Sequence, residues 1–301
     1  MAMPETPNGK TFGEKLQSVP RQVLYLLLVL CATVPAFVSF PVPNKALKST
    51  EDIYSRLAGV PNGSTVLIQT DWTKSTRGES MGQFEALLRI LMRKEVKFVF
   101  YSVADPQAPQ VARDAIRRVT KEVADAGGKK YEKWDDWLDL GYFPNAEGFN
   151  QSIAIDFRTA LAGRTDNPGH GQPQTDIFKS PVLQNITRIQ DFPLMVIVTA
   201  SSSLNILIER VSDKVDLVAM VTGVMVPETQ VYYASGQLKG MSGGLKGVYD
   251  LENLMKDGFP GQKTAGKGTA YYPTLHVVLT LLMLAVIAGN VGMWMARRSQ
   301  R

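Results

Sequence analysis

Two stretches without Asp, Glu, Lys or Arg stand near the ends of this chain and constrain everything between them. VLYLLLVLCATVPAFVSF spans residues 23–40, and LHVVLTLLMLAVIAGNVGMWM spans residues 275–295. Both approach the ~20 residues a helix needs to cross a ~30 Å hydrocarbon layer. No compact A-x-A cleavage site follows the first, so it reads as a retained span rather than a signal peptide. The expected plan is a basic tail (1–22), a transmembrane helix (23–40), a folded part (41–257), a linker (258–274), a second transmembrane helix (275–295) and a basic tail (296–301).

The formal charge of +5 belongs mostly to the tails, which carry Lys10, Lys15 and Arg21 at one end and Arg297, Arg298 and Arg301 at the other. Basic residues beside the spans favour both termini in the cytoplasm and the folded part outside it, and they suit the anionic lipid of an inner leaflet. The folded part is close to neutral and has no basic stripe, so nucleic acid is not an expected partner. The single cysteine, Cys31, lies in the first span, which excludes an intrachain disulfide and a cysteine metal site.

Between the spans, apolar runs alternate with helical patterns. TVLIQT (65–70), VKFVFYSV (96–103), LMVIVTA (194–200) and VDLVAMVTGV (215–224) read as strands apolar on both faces. Met81, Phe84, Leu87, Leu88 and Leu91 mark one intervening helix, and Val111, Ala115, Ile116, Val119 and Val123 another. The pattern predicts an α/β fold: a small parallel sheet, Rossmann-like or flavodoxin-like, covered by helices. EGFNQSIAIDFRTAL reads as one further helix with Phe149, Ile153, Phe157 and Ala160 on a face. KKYEKWDDWLDLGYF sets Tyr131, Trp134, Trp137, Tyr142 and Phe143 among acids, as core packing and a lid over the sheet edge or as a stacking platform.

Ligands of open parallel sheets sit beyond the carboxyl ends of the strands. Asp71 and Asp105 follow the first two strands, and Ser201, Ser202 and Ser203 stand between the third strand and its helix. Each has two readings. The aspartates hold loop N–H groups or a ligand, and the serines cap a helix or help to bind an anion. His170, in the Gly/Pro-rich loop GRTDNPGHGQPQTD, is the only histidine available to a catalytic triad in the folded part. Neither a catalytic residue nor a metal or cofactor is expected. Gly261-Gln-Lys-Thr-Ala-Gly266-Lys267-Gly268 approaches the phosphate-loop skeleton, but glycine occupies the position of its hydroxyl and no strand precedes it.

YYASGQLKGMSGGLKGVYDLENLMK carries Gly236, Gly240, Gly243, Gly244 and Gly247. On a helix, the spacing of four would make a bare strip against which another backbone could lie. In the second span, Ala285 with Gly289 and Ala288 with Gly292 repeat small residues at the same spacing, beside Asn290. Both stretches are expected interaction surfaces, for other membrane-protein subunits or for self-association.

GSTVLIQTDWTKSTRGESMGQFEALLRILMRKEVKFVF, KKYEKWDDWLDLGY and ASGQLKGMSGGLKGVYDLENLM together resemble a family of predicted bacterial membrane proteins of uncharacterised function. The resemblance covers residues 63–255 and implies the two-span plan with a Rossmann-like domain between the spans. It implies no chemistry. Members typically carry D-Y where this chain has Asp71-Trp72, and Tyr-Gly where it has Tyr131-Glu132. The function expected from all this is a non-catalytic structural or assembly subunit of a membrane complex. The alternative is an anchored enzyme or small-ligand sensor using the strand-end crevice.

Overall fold

The computed structural model describes residues 18–38, 42, 45–169 and 171–299. His170 therefore lies outside the described residues. The chain divides into two compact units, Asn44–Thr269 and the pair Met1–Pro43 with Ala270–Arg301.

Helix α1 (Arg21–Phe37) belongs to the apolar unit, with Pro35 in its last turn. Seventeen residues make it shorter than the expected span. Among the described residues, only the final helix is long and apolar enough to cross a membrane, over Lys267–Met295. It starts well before Leu275, so part of the expected linker is already helical.

The α/β unit runs α2 (Lys48–Gly59), β1 (Thr65–Asp71), α3 (Ser80–Arg93), β2 (Lys97–Ser102), α4 (Ala108–Asp125), β3 (Trp137–Tyr142), α5 (Ala146–Ile155) and α6 (Phe157–Ala160). A two-residue ladder follows, β4 (Thr165–Asp166) with β5 (Thr175–Asp176). Then come β6 (Met195–Thr199), α7 (Ser203–Val211), β7 (Leu217–Val221), α8 (Val226–Ala234), β8 (Gly240–Gly243), α9 (Gly244–Gly258) and the start of α10 (Lys267–Ser299), whose residues from Ala270 onward belong to the apolar unit.

Six strands form one parallel sheet in the order β3-β2-β1-β6-β7-β8. Counted along the chain this is the 3-2-1-4-5-6 order of a Rossmann sheet, not the 2-1-3-4-5 order of a flavodoxin. Successive side chains enter opposite layers. Val66, Ile68, Phe98 and Phe100 pack with α3 and α4, whereas Leu67, Val99 and Tyr101 pack with the layer holding Phe149, Phe157 and Leu204. Both faces are therefore buried, which explains the unbroken apolar runs of β1, β6 and β7.

The sequence pattern marks the four inner strands and misses both edges. The aromatic run is not only packing or lid: Trp137–Tyr142 forms edge strand β3, with a register shift between Phe100 and Tyr101 of its neighbour. Asp139 turns its carboxylate back to Gly141 N (2.8 Å), and Arg113 binds it from α4. A shifted register and a charge are devices that discourage a further strand from pairing there. At the other edge α2 covers β8. The single helix expected over EGFNQSIAIDFRTAL breaks at Asp156, an extended residue (φ −151°) whose carboxylate accepts Thr159 N at 2.9 Å and starts α6.

Candidate functional site

Strand order reverses between β1 and β6, and the carboxyl ends of this pair meet at Asp71 and Thr199. Asp71 is 2% exposed. Its Oδ1 accepts Ser102 Oγ (2.9 Å), Val103 N (2.9 Å) and Ala104 N (3.2 Å), and its Oδ2 accepts Gln69 Nε2. The carboxylate thus closes the β2–α4 loop. Tyr101 donates its hydroxyl toward Gln69 Oε1 or Asn150 Oδ1, each at 2.9 Å. Burial first, and the Asp71 charge second, push that hydroxyl well above its ordinary pKa.

Asp105 has a similar local task, since its Oδ1 accepts Gln107 N at 2.7 Å in the turn that opens α4. Beside the Asp71 terminus, Thr199 Oγ1, Ser201 Oγ and Ser203 Oγ form a closed hydroxyl cluster, with Ser201 and Ser203 2.9 Å apart. Ser202 is exposed at the N-cap of α7 and makes no side-chain cap bond. The sheet therefore gathers Asp71 and the serines at its reversal, and sets Asp105 on the next loop.

The structure adds a loop that motif reading passed over, residues 72–79 between β1 and α3. Lys74 and Arg77 are exposed there, with no acidic partner among the described residues. Thr73, Ser75 and Thr76 link through local hydrogen bonds, including Thr73 Oγ1 to Ser75 Oγ at 2.6 Å. Two polar groups at this corner are buried without a partner, Trp72 Nε1 and Ser80 Oγ. Trp72 packs on Phe84 (ring centroids 5.8 Å apart), and Phe84 lies one helical turn from Ser80 on α3. Two cations, several hydroxyls and a helix start between strand and helix were the signal available in TKSTRGES.

Glu79 points elsewhere, accepting Gly223 N at 2.6 Å beyond β7. Among the described residues no three His, Cys, Asp or Glu side chains cluster as a metal site would require.

The glycine-rich stretch is not a bare helical strip. Gly236 takes a left-handed turn (φ +80°), Gly240–Gly243 is strand β8, and Gly244 (φ +57°) swings the chain into α9. The close approaches are internal to the chain. A β-carbon at Gly240 would meet the Ile53 backbone, one at Gly243 would meet Val226, and one at Gly247 would meet Ser242.

The phosphate-loop-like segment also has a structural explanation. Buried Glu252 accepts Gly268 N (3.0 Å), Thr269 N (2.7 Å) and Thr269 Oγ1 (2.6 Å) at the start of α10. An internal carboxylate fills this helix N-terminus, and Gly268 is required because a β-carbon would strike the Tyr249 backbone.

In the apolar unit, Ala285, Ala288, Gly289 and Asn290 border an open hollow of about 560 Å³ with Val19 and Leu24. Nothing lies within 4 Å of a β-carbon placed on Gly289, while Gly292 is buried. No protein-family model matches the chain, and no curated protein matches it.

Proposed function

We propose that this is a membrane-anchored, non-catalytic α/β protein that binds a small anionic ligand where its strand order reverses. The observation that carries this reading is the β1/β6 reversal itself, where β1 leads through loop 72–79 to the start of α3 and β6 through the serines to the start of α7, with Lys74 and Arg77 in that loop lacking an acidic partner among the described residues. Helix N-termini present N–H groups and positive potential, and lysine and arginine add charge that recognises phosphate or carboxylate. Asp71 serves as a scaffold of the site, because its oxygens are engaged by the β2–α4 loop.

The test is thermal unfolding of the detergent-solubilised chain against inorganic phosphate, nucleotides and sugar phosphates. A ligand present at 100 times its Kd stabilises by about 2.7 kcal/mol. A shift with one of them, lost when Lys74 and Arg77 are both replaced by Glu, supports the reading. A flat panel ends it.

A second reading, assembly with other membrane subunits, rests on the apolar unit. Gly289 faces open space, and the Asn290 amide has no partner among the described residues. Small residues and an unpaired amide suit a helix that packs laterally against another chain. In both readings residues 23–40 and 275–295 anchor the protein in a bacterial inner membrane, with the basic tails in the cytoplasm and the α/β unit outside it. Protease accessibility in sealed vesicles of known orientation tests that topology.

A further inference from the structure

We infer that the α/β unit carries a second ligand site, independent of the strand-end crevice, in a cleft that takes a small aromatic carboxylate. The cleft holds about 560 Å³ between the outer face of α4 and residues 130–133, within the usual range for a small-molecule site. It lies at the amino end of the sheet, because Tyr131 donates its hydroxyl to Val96 O at 2.9 Å, just before β2.

Its floor is apolar and fixed. Ile116, Tyr131 and Trp137 are all nearly buried, at 1%, 4% and 7% exposure. Tyr131 stacks on Phe98 and Trp137 on Phe100, each pair with centroids 6.0 Å apart. The wall is held by buried Asp136, whose carboxylate accepts Glu132 N at 3.0 Å and pairs with Lys129. Trp134 adopts φ +80°, a left-handed conformation that a bulky residue rarely takes. That turn sends the Trp134 ring into the opposite core layer and leaves Tyr131 and Trp137 beneath the cleft. The recess is preformed, so a rigid planar ligand would lose little ordering entropy on entering it.

The rim selects the charge. Arg117, Lys121, Lys130 and Lys133 outnumber Asp125 and Glu132. Lys133 is held by the mostly buried Asp166, and two of the cations are held only by solvent-facing pairs, Arg117 with Asp114 and Lys130 with Glu132. Such pairs contribute little and exchange partners readily. Lys121 has no acidic partner among the described residues. The two rim acids, and the negative end of α4 at Asp125, oppose a dianion such as a phosphate monoester. A single carboxylate on a flat apolar ring suits both rim and floor.

The test is calorimetric titration of the full chain in detergent with 2-naphthoate, and with 2-naphthyl phosphate for comparison. Saturable binding of the carboxylate, weaker binding of the phosphate, and a loss of about tenfold or more in Lys121→Glu are expected. Ala124→Trp, which fills the cleft from an accessible helix position, should abolish binding while leaving the melting temperature near that of the parent. Equal binding by Ala124→Trp and the parent would overturn the assignment, as would no saturable binding. Replacing Lys74 and Arg77 by Glu should leave naphthoate binding unchanged. If that pair abolishes it, the acid occupies the crevice and the cleft is not its site.

Discussion

Gly240 lies directly against the backbone of Ile53: a β-carbon on it would stand 2.5 Å from Ile53 N and 2.7 Å from Ile53 Cα. The contact joins edge strand β8 to α2 across most of the chain's length. No side-chain rotation can relieve a clash with backbone, so α2 or β8 must shift.

Gly240→Ala should therefore destabilise the α/β unit by about 1–3 kcal/mol, the usual range for overpacking. Gly59→Ala, at the end of α2 with open space around it, should be neutral or stabilising by up to ~1 kcal/mol. Thermal melts of the full chain in one detergent compare them, and equal melting temperatures would disprove the contact.

Asp71→Asn should lower stability by about 1–3 kcal/mol, because an amide cannot accept all the donors now aimed at the carboxylate. Affinity for any crevice anion should hardly change. Replacing both Lys74 and Arg77 by Glu should do the reverse, removing affinity at nearly constant melting temperature. The two variants separate scaffold from contact residue.

Glu252→Ala should expose the Gly268 and Thr269 amides to exchange and cost about 2–3 kcal/mol, since buried donors lose their acceptor. Hydrogen exchange read by mass spectrometry across residues 266–270 checks this. Unchanged protection would show that α10 needs no such cap.

The acid limb of stability has a local cause at Glu122. Burial alone would raise its carboxyl pKa, but the two Arg89 contacts, at 2.8 and 2.9 Å, outweigh burial and hold it below the ordinary value of 4.5. A depressed carboxyl contributes stability above its unfolded pKa and loses it as pH falls through the folded one. Melting temperature should drop as pH goes below about 4.5, and Glu122→Gln should flatten that drop. The same variant should be less stable at neutral pH, because buried Arg89 loses its counter-charge.

If the helix face around Gly289 packs on another chain, Gly289→Leu should change the particle size of the native complex in mild detergent. An unchanged size would leave that face without a protein partner.

The sequence by itself determined the four inner strands, their flanking helices and the long C-terminal apolar helix. Each inner strand is buried on both faces, and a long apolar helix is apolar along its whole length, so the signal is local. It also brought Asp71, Asp105 and the serines to the carboxyl ends of strands, because that follows from strand direction alone. Only the tertiary structure decided the edges and the roles. An edge strand such as β8 has too few apolar positions to announce itself, and its glycines make sense only once Ile53, Val226 and Ser242 are packed against them. Asp71 is a scaffold because the N–H groups of Val103 and Ala104 arrive from another strand's loop. Glu252 caps α10 because Gly268 and Thr269 fold back onto α9. Such pairings join residues distant along the chain, so they exist only after the sheet has brought them together.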